Sequence, residues 1–164
     1  MFGLIGLLSA GCYFAFSRLF LQSIEVVGTS MVPTLGANSR YLLNRWVFRN
    51  REPQSGEVVV IRDPGAQCLA VKRIVAVPGQ SVLFNKGRVY VDGKLLDEPY
   101  LAARTYTFTY SQAKEQFITC GKDQYFVLGD NRTQSIDSRS YGPVARKNVL
   151  GLLMIHPLDQ LAHR

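Results

Sequence analysis

The chain is 164 residues long, enough for one folded domain with a real core and too short for two large ones. Hydrophobic residues make up 47%, an ordinary globular share, so only the first twenty or so residues read as membrane. The net charge of +7 is spread from Arg40 to Lys147 without a nucleic-acid-binding module, which points to anionic lipid rather than nucleic acid.

Residues 1–16 carry no charged side chain, and the apolar run resumes after Arg18 as Leu19-Phe20-Leu21. As a helix, about 21 residues at about 1.5 Å each reach about 32 Å, enough to span a bilayer core, with Arg18 snorkelling to an interface. No basic region precedes the run, which argues against a cleaved leader. Arg18 and the arginines after it favour a cytoplasmic domain by charge count, although large domains translocate largely regardless of charge.

Next comes Gly28-Thr29-Ser30-Met31-Val32-Pro33-Thr34-Leu35. Gly28 permits unusual backbone angles, Pro33 fixes its own φ, and Val32 is biased away from helix, so a fixed non-helical turn is predicted with Ser30 at its bend. A polar turn joining an anchor to a domain is the plainer reading. Residues 40–48 (RYLLNRWVF), 57–62 (EVVVIR) and 69–77 (LAVKRIVAV) read as strands, with turns between them. Trp46 reads as core, and the other option for 46–48 is the lipid interface.

Residues 81–100 read as a separate ribbon, turning at Asn85-Lys86-Gly87 and again at Asp92-Gly93. Residues 101–124 are polar and rich in Thr and Tyr, and their pattern assigns no element. Residues 125–128 form a strand that ends in Gly129-Asp130-Asn131, a polar loop runs to Pro143, and residues 149–155 form a last strand. No helical period follows residue 23, so the domain is expected to be mainly β.

In a strand over 69–77, Lys72 shares a face with Ala70, Ile74 and Ala76, and Arg73 shares the other with Leu69, Val71, Val75 and Val77. The Lys72 face is small and apolar. A lysine held there loses hydration, which disfavours its charged form, and a neutral amine can take a proton from a serine hydroxyl. Snorkelling from a sheet edge is the alternative. The loop at 129–143 is either solvated or a rigid wall built by Asp130, Asp137, Arg73 and Arg139 through bidentate pairs. His156, just before Pro157, reads as structural, so a Ser-His-Asp triad lacks its base. Cys12, Cys68 and Cys120 are an odd count without Cys-x-x-Cys, against a metal site or a disulfide framework, though one Cys68–Cys120 bridge stays open.

Behind the apolar run, GTSMVPTL, VKRIVAVPG and GDNRTQSIDSRSYGPV occur in that order. Together they resemble the type I signal peptidases, membrane-bound Ser-Lys endopeptidases, over residues 1–158. The resemblance implies Ser30 as nucleophile, Lys72 as general base, and Ser135 as the residue that hydrogen-bonds and orients the Lys72 amine. It implies that Asp137 and Arg139 buttress the site, and Asp130 and Arg73 match the remaining charged positions. Met31 and Leu35 fall where the family lines a shallow pocket for small residues, joined by Val71. The implied fold is one transmembrane helix at 1–22 and a signal-peptidase-like β catalytic domain at 23–164. A small β-ribbon subdomain is inserted at 81–122.

The implied partners are signal peptides of preproteins and membrane lipid. The chain is expected to work as a monomer, single-pass, with its domain on the extracytoplasmic face of a bacterial membrane and with no metal or cofactor. It departs from the better-known pattern at Gly28, where some members carry a serine, so the Ser30 N–H is expected to bear more of the oxyanion. Gln80 and Ser55-Gly56-Glu57 are further departures. A processing peptidase of narrower clientele and an inactive anchored β-domain that binds signal sequences are the alternatives. A self-cleaving repressor shares the chemistry, but no DNA-binding module precedes Ser30.

Overall fold

The computed structural model describes residues 21–109 and 115–155. The expected anchor at 1–22 lies outside it except for Leu21 and Gln22, which open a β-strand instead, and His156 and His163 lie outside as well. Among the described residues no helix is long and apolar enough to cross a membrane.

In chain order, β1 (Leu21–Val26) and β2 (Ser39–Asn44) lead to a single helical turn, α1 (Val47–Asn50). Then come β3 (Val58–Arg62), β4 (Leu69–Ala76), β5 (Ser81–Asn85), β6 (Arg88–Val91) and β7 (Lys94–Leu95). β8 (Glu115–Thr119), β9 (Gln124–Leu128), α2 (Ser138–Tyr141), β10 (Val144–Ala145) and β11 (Val149–Met154) follow. The strands form a seven-stranded antiparallel sheet, β1-β2-β11-β3-β4-β9-β10, and a four-stranded one, β7-β6-β5-β8.

β3 is apolar at every position but its last because both its faces are covered. Val58 and Val60 pack with Met31, Leu35, Tyr41, Leu43 and Leu153. Val59 and Ile61 pack with Phe48, Ile74, Tyr125, Val127 and Val149. Each of these side chains contributes about 1.5–3 kcal/mol by leaving water. A central strand coated on both sides reads as a continuous hydrophobic run.

The expected strand at 40–48 splits in two. Asn44 ends β2, and its Oδ1 accepts the Trp46 and Val47 N–H groups at 3.0 Å each, turning the chain into α1. Phe48 is buried but Trp46 is 41% exposed beneath the Arg49 guanidinium, so Trp46 is not core. β4 also departs from strict alternation. Its register to β9 shifts between Ile74 and Ala76, a bulge that sends Ala76 with Val75 to one face and returns Val77 to the face of Ala70 and Ile74.

The ribbon is larger than its sequence suggests. Lys86-Gly87 and Asp92-Gly93 have positive φ throughout (48°, 75°, 50° and 76°), the geometry of two-residue hairpin turns. β8, from the stretch that sequence pattern left unassigned, adds a fourth strand beside β5. This sheet docks on the large one through Val82, Phe84 and Val89 against Val75, Phe126 and Leu128, with the Phe84 and Phe126 rings 5.8 Å apart. Cys68 and Cys120 are both free thiols, the first exposed and the second buried in this last cluster.

Candidate active site

The Ser30 turn is non-helical, as its sequence predicts. Val32 N–H donates to Thr29 O (3.1 Å), Leu35 N–H to Met31 O (2.9 Å), and the Val32–Pro33 bond is cis. Asn38 N–H closes the excursion on Val26 O at 2.7 Å. Met31 and Leu35, both 1% exposed, sink beneath the turn into the core. They anchor Ser30 from below and do not line the groove beside it.

Lys72 arrives from β4, opposite Val59 of β3. Its side chain is buried, and Nζ lies 3.1 Å from Ser30 Oγ across 42 positions of sequence. Burial lowers the pKa of this amine; Asp137, Asp63 and Cys68 pull the other way, and Arg139 adds to the lowering. Desolvation is the largest of these influences, so the pKa of the amine lies below that of an ordinary lysine. An uncharged amine at hydrogen-bonding distance from a hydroxyl is geometrically competent to take its proton.

The loop after β9 clasps the turn. Asn131 N–H donates to Ser30 O (2.9 Å), Asn131 Nδ2 to Thr29 O (3.2 Å), and Thr29 Oγ1 to Gln134 Oε1 (3.2 Å). Gly129 is required by close approach: a Cβ there would stand 2.6 Å from Ser30 O and nearer still to the fully buried Ser135 side chain. Asp137 accepts Arg139 Nε at 2.8 Å and Nη2 at 2.9 Å, takes Gly129 N–H at 3.0 Å, and caps α2 through Arg139 N–H. Arg139 Nη2 also donates to Ser135 O at 3.2 Å. Asp130 forms a second bidentate pair, with Arg73 Nε at 2.9 Å and Nη2 at 2.6 Å, and takes the Thr34 hydroxyl at 2.5 Å. Both aspartates are at most 2% exposed, and both pairs are the charge-assisted fork type. The loop is a wall, not a solvated connection.

A groove of about 320 Å³ opens beside Ser30, lined by Ile24, Val26, Gly28, Val60, Ala70 and Val71. A larger cleft of about 570 Å³ lies in the smaller sheet's region, among Arg88, Leu96, Arg104 and Tyr106; neither Ser30 nor Lys72 reaches it. Sequence reasoning overlooked Thr34, Asn131 and Arg132. Arg132 donates to Gly129 O at 3.1 Å and to the buried Thr107 hydroxyl. Its position inside the third motif was the one available signal.

An antiparallel β-domain that presses a buried lysine against a turn-borne serine, with an apolar groove at the serine, has the form of a Ser-Lys hydrolase. A family model described as signal peptidase, peptidase S26, matches residues 2–156. A probable signal peptidase I-2 of Synechocystis is 39% identical over 82% of this chain, which spans 62% of that relative's length. Signal peptidase I S of Bacillus subtilis is 34% identical over 88% of this chain and 82% of its own. A crystal structure of a signal peptidase I from Enterococcus faecalis is similar with a TM-score of 0.54 at 30% identity, covering 63% of this chain and 98% of that one. The chain belongs to the signal peptidase family of S26 peptidases.

Proposed function

We propose that this protein is a membrane-anchored serine endopeptidase that removes signal peptides from translocated preproteins. Ser30 acts as nucleophile and Lys72 as general base. The observation that carries the reading is the 3.1 Å separation of Ser30 Oγ from a lysine amine stripped of water. Neutral Lys72 takes the Ser30 proton as Oγ adds to the scissile carbonyl carbon, and returns it to the departing amine. The acyl-enzyme is then hydrolysed by a water that Lys72 deprotonates. Ser135, packed against Gly129 and held by Arg139 through its carbonyl, orients the amine. The developing oxyanion takes the Ser30 N–H, and one such donor contributes about 3–4 kcal/mol. The apolar groove between Val26, Val60 and Val71 receives the side chain before the cut, which the family resemblance takes to be small. Signal peptides and lipid are the partners, with the uncharged run at 1–16 in the bilayer and the domain on the extracytoplasmic side.

The test is cleavage of a preprotein by the purified full chain. Ser30→Ala and Lys72→Ala are each expected to lower kcat by at least about a thousandfold, since nucleophile and base act as one unit. Full activity in either variant refutes the dyad.

A further inference from the structure

Two side chains outside the three motifs meet the arginines that hold the site. The Tyr100 ring lies 3.9 Å from the Arg73 guanidinium carbon, and its hydroxyl donates to Glu98 Oε1 at 3.0 Å. Glu98 in turn pairs with Arg132, whose side chain is fully buried. Arg132 grips Gly129 O and Arg73 grips Asp130, so the two guanidiniums converge on consecutive residues of the loop that clasps Ser30. Arg73 also follows Lys72 directly on β4, and its partner Asp130 holds Thr34 of the Ser30 turn.

We propose that Tyr100 and Glu98 are positioning residues for the Ser30–Lys72 pair, acting through Arg73 and Arg132; this rests on the dyad reading above. The Tyr100 ring covers one face of the Arg73 guanidinium. Without that ring Arg73 can be hydrated and turn away. Asp130, Thr34 and the carbonyl clasp on Ser30 then shift together. Glu98 fixes the ring from behind by its hydroxyl and fixes Arg132 by charge, so the pair locks both arginines at once. Burial and the nearby Glu98 carboxylate push the Tyr100 hydroxyl's pKa up, which keeps it a proton donor across the working range. Displacements of about 1 Å at a reacting pair cost rate by about a hundredfold while leaving the binding groove alone.

The experiment measures kcat and KM of the full chain on a preprotein, normalised to folded fraction from thermal melts. Tyr100→Leu is expected to lower kcat about tenfold or more with KM changed less than about twofold, and Tyr100→Phe to lose less than about threefold. In a Thr34→Val background the Tyr100→Leu loss is expected to shrink to less than about threefold, because both act through Asp130. A role confined to holding the smaller sheet in place would leave kcat per folded molecule unchanged. That result, or a loss in kcat that multiplies independently with Thr34→Val, overturns the proposal. If Tyr100→Leu does not fold, Glu98→Gln decides: a loss in kcat above about threefold supports the proposal and an unchanged kcat overturns it. Ser30→Ala run in parallel separates the two readings. Activity there removes the dyad itself, whereas a dead Ser30→Ala beside a fully active Tyr100→Leu removes only the positioning role.

Discussion

In the proposed dyad, Lys72 serves catalysis at the expense of stability. The amine titrates lower in the folded chain than the ordinary value of about 10.4 because it is buried. Between its folded pKa and about 10.4 the unfolded chain binds the extra proton, so stability rises with pH across that window and is lowest below it. The same sign governs the reaction, since only the neutral amine can act as base. The acid limb of kcat/KM is therefore expected to fall below the titration range of an ordinary lysine. Lys72→Met, unbranched and of similar length, is expected to be inactive yet to melt at a higher temperature at pH 7, the gain shrinking as pH approaches about 10.4. Thermal melts across pH measure this; a lower melting temperature or a gain independent of pH would show that desolvation is not the dominant influence on the amine.

The loop from β9 through α2 owes its rigidity to Asp137 more than to any apolar contact. That carboxylate holds Arg139, the Gly129 N–H and the first turn of α2 at once, in full burial. Asp137→Ala strands a buried guanidinium and is expected to destabilise by about 3–5 kcal/mol. Glu25→Ala, which breaks the exposed 3.6 Å pair with Arg40, is expected to cost less than about 0.5 kcal/mol, both read from denaturant midpoints. Equal effects would mean that the wall gains nothing from its burial. Much of this was legible from residue order alone. The runs around Val59 and Lys72 carry their strand identity locally, and the polar density of 129–143 is compatible with a wall. β1 was hidden because Leu21 closes the apolar run and Gln22, Ser23 and Glu25 leave only Ile24 and Val26 as a strand signal. β8 was hidden because its pairing is set by β5, and Thr107 because its buried partner, Arg132, lies 25 positions away. The bulge at Val75 is a tertiary event that alternation cannot announce.

Among the described residues, three apolar clusters divide the labour: one under the Ser30 turn, one behind Lys72, and one joining the two sheets. Cys120 sits in the third, and burial pushes its thiol's pKa up; Cys68 stands at the surface near β4. Access favours Cys68, and burial protects Cys120. Iodoacetamide on the native chain is expected to modify Cys68 and spare Cys120 until denaturant is added, as peptide mass spectrometry can read. Rapid native labelling of Cys120 would place the seam between the sheets open to solvent.

The strand order carries one more implication. β1 and β2 hold the serine, β3 and β4 hold the lysine, and these pairs are joined in the sheet by β11, which comes late in the chain. Until the ribosome has released Val149–Met154, the hydroxyl and the amine belong to halves with no shared hydrogen-bonded edge. The two pairs therefore become parts of one sheet only when β11 has been laid between β2 and β3.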